Sequence, residues 1–218
     1  MSEGEPGGDA APRLVIATRS PHKLRELREL LRLERAEVVS LDELGVPGDP
    51  IEDGETFEAN ALIKARFAAR ATGLPALADD SGIEVDALGG RPGVRTRRYA
   101  GEDATDEDNN SRMLEELDGV PPERRGARYV CVLAFARPDP GDPESEPSIL
   151  TTWGTCRGRI ALAPRGSGGF GYDPIFEPEQ EPAGGRTLGE WSAEDKNRIS
   201  HRAMAAREMS ARLRAEGF

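Results

Sequence analysis

The stretch from Ala76 to Gly101, ALADDSGIEVDALGGRPGVRTRRYAG, carries the most informative pattern in the chain. Its apolar start leads into Asp79-Asp80-Ser81-Gly82, which predicts a buried strand that ends in a tight turn. Because side chains alternate between the two faces of a strand, only one of these aspartates can point into a given cleft. A carboxylate in that position can hold a hard cation such as Mg²⁺ or orient a water molecule. The plainer alternative is an Asx-turn that only closes the strand.

Length and charge limit the possible functions. A chain of 218 residues can bury a core of its own. It contains no apolar run of about 18 residues, which argues against a transmembrane helix. The formal net charge of −11 argues against a general nucleic-acid binder. The same charge repels a polyphosphate at long range, so binding one would need a local basic site and a metal.

The N-terminus and the cysteines predict a cytoplasmic protein. Residues 1–12 are acidic and rich in Gly and Pro, which is typical of a flexible tail and not of a signal peptide. We expect a single domain over residues 13–218. Cys131 and Cys156 have no C-x-x-C spacing, as is common for two reduced and partly buried thiols.

Lysine is rare among the basic residues. Of 29 basic residues only Lys23, Lys64 and Lys196 are lysines, so arginine supplies the ordinary surface charge. The ammonium group of lysine is a compact point charge, whereas the guanidinium group of arginine is a planar fork, and the two differ in a tight pocket. The three lysines are therefore candidates for pocket residues, with chance placement as the alternative.

A polar loop follows the first predicted strand, Arg13 to Ala17. It reads Thr18-Arg19-Ser20-Pro21-His22-Lys23, and leucines at helical spacing come next, with Pro21 suited to the first turn of the helix. A strand, a loop and a helix in this order aim backbone N–H groups and the positive helix end at an anion. Lys23 would then reach a phosphate, although the loop lacks the G-x-x-x-x-G-K-[ST] pattern of a P-loop. An ordinary strand-to-helix turn is the alternative.

An acidic loop precedes the second predicted helix, which Thr56 caps and which runs to Thr72, and a third, acidic helix is predicted to open at Thr105 and run through Leu117. Glu52 and its acidic neighbours in this loop are possible metal ligands, and a solvated acidic loop is the alternative. Asn60 and Lys64 lie four residues apart in the helix, so they share one face and can act together.

The second half of the chain predicts two long strands, Arg128 to Ala136 and Ser148 to Arg159, followed by a glycine-rich loop. This loop, Gly166-Ser-Gly-Gly-Phe-Gly171, matches G-x-G-x-x-G literally, but Tyr-Asp-Pro follows where a helix should begin, so it is not a Rossmann fingerprint. It is more typical of backbone that approaches a ligand, with Phe170 or Tyr172 available to stack on a base.

One long helix is predicted near the C-terminus, beginning at a Ser192 cap. Lys196, His201 and Arg202 lie near its start. A lone histidine on a helix is more often structural or exposed than a ligand-binding residue, so the pattern alone does not assign a role to His201.

Together these motifs resemble the inosine triphosphate pyrophosphatase family, the XTP/dITP diphosphatases that clear non-standard purine nucleotides. The central ALADDSGIEVDALGGRPGV, with RYAGEDATD after it, carries most of the resemblance. GGFGYDP, EDKNRISHR and the segment around Lys64 are similar to three further family motifs. In the first loop Thr18 and Lys23 match the family's T-G-N-x-x-K, whereas Arg19 and Ser20 replace its Gly and Asn.

The resemblance implies a role for each motif. Asp80, with Glu52, would bind Mg²⁺, and Asp80 would also orient or deprotonate the attacking water. Lys23 and Lys64 would stabilise the triphosphate, while the glycine-rich loop and the last helix would hold the nucleoside. The full set of candidate substrate-binding residues is Thr18, Arg19, Ser20, Pro21, His22, Lys23, Ser81, Phe170, Gly171, Tyr172, Asp173, Lys196, His201 and Arg202.

We therefore expect one α/β domain with a long, twisted mixed sheet. The resemblance adds two lobes around a deep cleft, and a homodimer. The expected reaction hydrolyses ITP, dITP or XTP to the monophosphate and pyrophosphate, with a small-molecule nucleotide as partner and neither nucleic acid nor a membrane. Two alternatives remain: a pyrophosphatase of modified pyrimidine nucleotides, and a nucleotide-binding regulator without turnover.

Overall fold

The computed structural model describes residues 11–218, which form six strands and five α-helices. The strands are β1 (Arg13–Ile16), β2 (Glu37–Ser40), β3 (Ala76–Val85), β4 (Gly126–Arg137), β5 (Ser148–Ile160) and β6 (Phe176–Pro178). The helices are α1 (Pro21–Leu31), α2 (Phe57–Thr72), α3 (Asp106–Glu116), α4 (Ala193–Ile199) and α5 (His201–Ala215).

All six strands belong to one mixed sheet in the order β2-β1-β3-β4-β5-β6. β1 runs parallel to β2 and β3, whereas each step from β3 to β6 is antiparallel. β3 pairs with β4 along all ten of its residues, but with β1 only at Ala76 and Leu77. Beyond Leu77 the outer edge of β3 has no strand beside it within residues 11–218, which leaves room there for loops and a ligand.

The buried apolar side chains form three clusters. The first, with Ala65 and Val132, lies between α2 and one face of the sheet. The second, with Leu133 and Met209, lies between α1, α5 and the opposite face. The third, with Ile83, joins the far ends of β3, β4 and β5 to α3. β3 contributes to all three clusters, and its residues 79–82 lie between those that do so.

The predicted starts of the early helices are confirmed. Pro21 is the first residue of α1, where its fixed φ and missing N–H are tolerated. Thr56 caps α2 by accepting a hydrogen bond from the N–H of Ala59, and the helix ends before Gly73, whose φ of 66° lies in the left-handed region. Thr105 caps α3 in a capping box.

The tight turn predicted at Asp79-Asp80-Ser81-Gly82 is wrong. β3 continues through these residues to Val85, because β4 pairs with every one of them, from Asp79 opposite Leu133 to Gly82 opposite Val130. A partner strand about fifty residues away in sequence overrides the local turn preference of the Asp and Gly residues. The strand keeps its alternation, so Asp79 and Asp80 project from opposite faces.

The single helix predicted after Ser192 is also wrong, because it is two helices. Ser200 has an extended conformation (φ −64°, ψ 150°), which ends α4 and begins α5. Its side chain accepts a hydrogen bond from the N–H of Ala203 and so caps the second helix. The break places His201 and Arg202 in the first turn of α5.

The α/β class and the mixed sheet flanked by helices are confirmed. Of the predicted tail, residues 1–12, the first ten lie outside the described residues. None of the helices within residues 11–218 has the length and apolar character needed to cross a bilayer.

Candidate active site

The side chain of Asp79 lies on the face of β3 that α1 and α5 cover. It is only 1 % exposed. Its Oδ2 atom lies 3.2 Å from Lys23 Nζ and accepts hydrogen bonds from Arg202 Nη2 at 3.1 Å and from the Ser81 hydroxyl at 3.3 Å. Burial alone would raise the pKa of Asp79, but the charges of Lys23, Arg202 and Lys64 outweigh it and hold this pKa well below its ordinary value. Asp79 is therefore a permanent anion inside a cationic shell.

Arg202 is itself buried and engaged by several acceptors. Besides Asp79 it donates to Ser81 Oγ at 2.9 Å and to Glu26 Oε2 at 2.5 Å. These contacts and its Nε bond to Asp79 make four hydrogen bonds from a group that has five N–H hydrogens. Burial lowers the pKa of Arg202, but the nearby carboxylates of Asp79 and Glu26 raise it overall, so the guanidinium stays charged.

The side chain of Asp80 lies on the opposite face, beneath α2. Lys64 Nζ donates to Asp80 Oδ1 at 2.8 Å and lies 3.1 Å from Glu52 Oε2, so one ammonium joins the two carboxylates. Burial raises the pKa of Asp80 despite the opposing charge of Lys64. The Glu52 side chain is 39 % exposed, which leaves this arrangement open to solvent on the loop side.

Asn60 connects the acidic loop to this face. Its Oδ1 atom accepts a hydrogen bond from the N–H of Gly54 at 2.8 Å, and its Nδ2 atom lies 3.5 Å from Asp80 Oδ2. The predicted pairing of Asn60 with Lys64 on one helix face is confirmed, and both side chains point at Asp80. Asn60 thereby holds the loop that carries Glu52 against the start of α2.

Residues of the loop after β1 have different orientations, and not all of them face the site. Thr18 and Ser20 shape the loop, since Thr18 Oγ1 accepts from the N–H of Ser20, and Ser20 Oγ accepts from the N–H of Lys23. Arg19 points elsewhere, because it donates to Asp49 at 3.0 Å, to Asp42, and to two backbone carbonyls of the loop after β2. The structure does not bring Arg19 to the aspartate pair.

The ring of Phe170 collects several of the predicted residues. His22 stacks on it with ring centroids 5.5 Å apart, and Lys196 Nζ lies 4.6 Å from its centroid. The Arg202 guanidinium is 5.8 Å from the same centroid. Residues from α1, the glycine-rich loop, α4 and α5 therefore meet at one aromatic surface, next to the Asp79 face.

Asp173 anchors this surface from below. It is 2 % exposed, lies 2.6 Å from Lys196 Nζ and accepts a hydrogen bond from the N–H of Phe170 at 2.9 Å. Burial raises the pKa of Asp173, against the opposing charge of Lys196. The carboxylate thus fixes both the loop backbone and the lysine above it.

Tyr172 and His201 lie in the core beside the site. Tyr172 is 2 % exposed and its hydroxyl donates to the carbonyl of Thr96 at 2.8 Å, so its ring is not available to stack on a base as predicted. His201 stacks on Tyr129 with ring centroids 4.7 Å apart. Burial, with the nearby charges of Arg202 and Lys196, lowers the pKa of His201 well below its ordinary value, so the ring is neutral.

Sequence reasoning missed Glu26, which lies between Arg202 and Lys196. Its Oε1 atom is 3.6 Å from Lys196 Nζ, and its Oε2 atom accepts from Arg202. The available signal was the spacing of Lys23 and Glu26, three residues apart on α1 and hence on one helix face.

The chain is similar to known proteins over most of its length. The family model described as the Ham1 family matches residues 14–212. A dITP/XTP pyrophosphatase of Methylococcus capsulatus is 49 % identical over 203 residues, covering 93 % of this chain and 96 % of that protein. The enzyme of the same name from Escherichia coli O157:H7 is 46 % identical over 202 residues, covering 93 % and 98 % of the two chains.

Two solved structures are similar over nearly the whole chain. The structure of a HAM1 protein from Coxiella burnetii aligns with a TM-score of 0.81 and 43 % identity, covering 94 % of this chain and 99 % of that one. A dITP/XTP pyrophosphatase from Mycobacterium abscessus aligns with a TM-score of 0.71 and 40 % identity, covering 92 % and 98 %.

Proposed function

The chain belongs to the Ham1 family, and on that premise we propose how it works on its substrate. It hydrolyses non-standard purine nucleoside triphosphates to the monophosphate and pyrophosphate. This is the reaction after which the similar dITP/XTP pyrophosphatases are named. The observation that carries the assignment to a site is the pair of opposed aspartates on β3. Asp79 belongs to a closed ionic cluster with Lys23 and Arg202. Asp80 faces a partly exposed loop that carries a second carboxylate, Glu52.

The Asp80 face fits a divalent metal that is shared with the substrate. The Lys64 ammonium contacts oxygens of both Asp80 and Glu52, so one positive charge can lie between these two carboxylates. Among residues 11–218 no group of three or more His, Cys, Asp and Glu side chains is arranged to hold a metal. Two carboxylates without a complete cage suit Mg²⁺, which keeps several waters and takes its other ligands from phosphate oxygens. Mg²⁺ bound there would neutralise charge that develops on the phosphates.

The residues of the two faces then divide the work. Asp80 orients the attacking water and accepts the proton that the water must lose. Lys64 and Lys23 place their ammonium charges against the triphosphate from opposite sides of β3. Ser81 and the backbone of the loop from Thr18 to Lys23 complete the phosphate site, with the N-terminus of α1 contributing its positive dipole.

The nucleoside lies on the aromatic surface at Phe170. Lys196 lines this surface and Asp173 fixes its floor, whereas His201 supports it from the core through its stacking on Tyr129. Arg202 has one N–H hydrogen left over from its four bonds, and we assign that donor to the 6-oxo group of the purine. Tyr172 supports the loop from within the core instead of stacking on the base.

The test is release of pyrophosphate from a panel of nucleotides with and without Mg²⁺. We expect ITP, dITP and XTP to be turned over, ATP and GTP to be poor substrates, and activity to disappear in EDTA. Preference for modified pyrimidine nucleotides would favour the related house-cleaning activity. Tight binding of ITP without pyrophosphate release would favour a regulator. A homodimer and a cytoplasmic location remain predictions.

A further inference from the structure

Helix α3 binds both backbone polar groups, the N–H and the carbonyl, of one residue of the glycine-rich loop. The N–H of Gly171 donates to Asp106 Oδ2 at 2.6 Å, and Asn110 Nδ2 donates to the carbonyl of Gly171 at 3.1 Å. Asp106 and Asn110 are four residues apart, so they lie one above the other on α3. They are more than sixty residues from Gly171 in sequence. We call this pair of side chains the α3 latch.

Burying the side-chain amide of Asn110 reduces the stability of the folded protein. Asn110 is 6 % exposed, and its Oδ1 atom is buried without a hydrogen-bond partner in the described part of the chain. An unpaired buried acceptor costs free energy, whereas a leucine of similar size would not. Within residues 11–218 the Asn110 side chain makes one hydrogen bond, to the carbonyl of Gly171, a residue that is only half-buried, so this carbonyl could bond to water instead. The contact is therefore better explained by the position it gives Gly171 than by overall stability.

The backbone conformation of Gly171 requires contacts that stabilise it. Its φ of 63° lies in the left-handed region, which a flexible glycine leaves easily because many other conformations are open to it. Gly171 follows Phe170 directly, and the N–H of Phe170 is bonded to Asp173 on the other side. The orientation of the Phe170 ring thus depends on Asp173 at one end and on the α3 latch at the other.

Neighbouring residues of α3 fix the opposite wall. Asn109 accepts a hydrogen bond from the N–H of Ala100 at 2.8 Å and donates to the carbonyl of Arg97 at 2.9 Å. Thr96 directly precedes Arg97; its carbonyl accepts a hydrogen bond from the Tyr172 hydroxyl, and its own hydroxyl accepts one from the N–H of Ile83 on β3. α3 therefore sets the distance between the glycine-rich loop and the strand that carries Asp80.

We propose that Asp106 and Asn110 are positioning residues that set the affinity for the purine nucleoside by fixing Gly171. The inference rests on the proposed function, since it takes the Phe170 surface as the nucleoside site. Both side chains would act through Gly171 and not by contact with the substrate. Loss of the latch leaves the chemistry at Asp80 intact and weakens the hold on the nucleoside.

The experiment compares three latch variants with a matched control. Asp106→Ala removes the acceptor for the N–H of Gly171, Asn110→Leu removes the donor to its carbonyl, and Asp106→Asn keeps an acceptor oxygen. Asp108→Ala is the control, because Asp108 lies in the same first turn and caps α3 through Thr105 but does not contact Gly171. Both alanine variants lose one carboxylate that favours the helix dipole.

Calorimetry with Mg²⁺ present measures binding of IMP, which contains the nucleoside, and of pyrophosphate, which does not. We expect Asp106→Ala and Asn110→Leu to weaken IMP binding and raise the KM for ITP about three- to tenfold each, the loss from one hydrogen bond. Binding of pyrophosphate and kcat should stay within about twofold, and Asp106→Asn should restore most of the affinity. Asp108→Ala should lower Tm without changing the IMP Kd.

The results separate the two proposals. A wild-type protein that does not hydrolyse ITP overturns the proposed function, whereas IMP binding needs no turnover and still decides the role of the latch. An IMP Kd that is unchanged in both latch variants, or absence of IMP binding to the wild type, overturns the latch. So does equal weakening of pyrophosphate, or an effect of Asp108→Ala as large as that of Asp106→Ala.

Discussion

The two faces of β3 treat neighbouring aspartates in opposite ways. On the α5 face, Asp79 is 1 % exposed and bound by Lys23, Arg202 and Ser81, so its charge is compensated inside the folded chain. On the α2 face, Asp80 shares Lys64 with Glu52, which belongs to a loop and is partly exposed. The first carboxylate is enclosed by its partners, whereas the second borders a partly exposed loop, as the proposed metal site requires.

This contrast predicts that the same substitution has different consequences on the two faces. Asp→Asn removes one charge and keeps the shape of the side chain. At Asp80 it should appear in the kinetics, and at Asp79 it should appear in the free energy of unfolding. The expected effects below run from the largest to the smallest.

Asp80→Asn should lower kcat for ITP by about 10²–10⁴-fold, the range for loss of a general base. Asparagine can still accept the hydrogen bond from Lys64, so the free energy of unfolding should change by less than about 1 kcal/mol. Steady-state pyrophosphate release and urea unfolding measure the two quantities. Wild-type kcat in Asp80→Asn at saturating Mg²⁺ would exclude Asp80 as the catalytic carboxylate.

Asp79→Asn should instead destabilise the protein by about 3–5 kcal/mol, because Lys23 and Arg202 lose the buried carboxylate they share and only Glu26 remains against Arg202. Urea unfolding followed by circular dichroism gives this value. Its control is Asp80→Asn on the other face of the same strand. Equal loss of stability in the two variants would show that the faces are not distinct.

Lys23→Ala should lower kcat/KM for ITP by about ten- to a thousandfold, as expected for one charge contact with the transition state. Lys23 lies at the edge of the closed cluster, with its side chain 22 % exposed, so it can reach a phosphate while it neighbours Asp79. Lys23→Arg should rescue only part of the loss, since a planar fork does not replace a point charge. Full rescue would mean that net charge alone matters at this position.

Local patterns were sufficient for much of this arrangement. The alternation of a strand separates Asp79 from Asp80, and the four-residue spacing of a helix places Asn60 beside Lys64. Caps at Thr56 and Thr105 mark the helix starts. These features depend on neighbours in sequence, so the sequence alone predicts them.

The errors have a different physical origin. The strand does not turn at Gly82, because β4 supplies a partner strand at every residue there. Arg19 turns away from the site because Asp42 and Asp49 offer it carboxylates in the next loop. The bond between Arg202 and Asp79 joins residues 123 positions apart. Pairings over such distances follow from tertiary packing, and no short motif encodes them.

Substitution of Arg202 has the smallest expected effect. It tests whether this residue of the Asp79 face also binds the purine base. Arg202→Lys keeps a positive charge for Asp79 but removes the fork that also serves Glu26 and Ser81, together with the N–H that remains. We expect the ratio of kcat/KM for ITP to that for ATP to fall about tenfold, or about 1.4 kcal/mol of discrimination. Substrate panels for wild type and variant measure it, and Lys23→Arg is the control because it changes a cation at the phosphate end. If Arg202→Lys slows ITP and ATP by the same factor, Arg202 only orients Asp79 and Ser81. The donor that reads the 6-oxo group must then come from another side chain at the Phe170 surface.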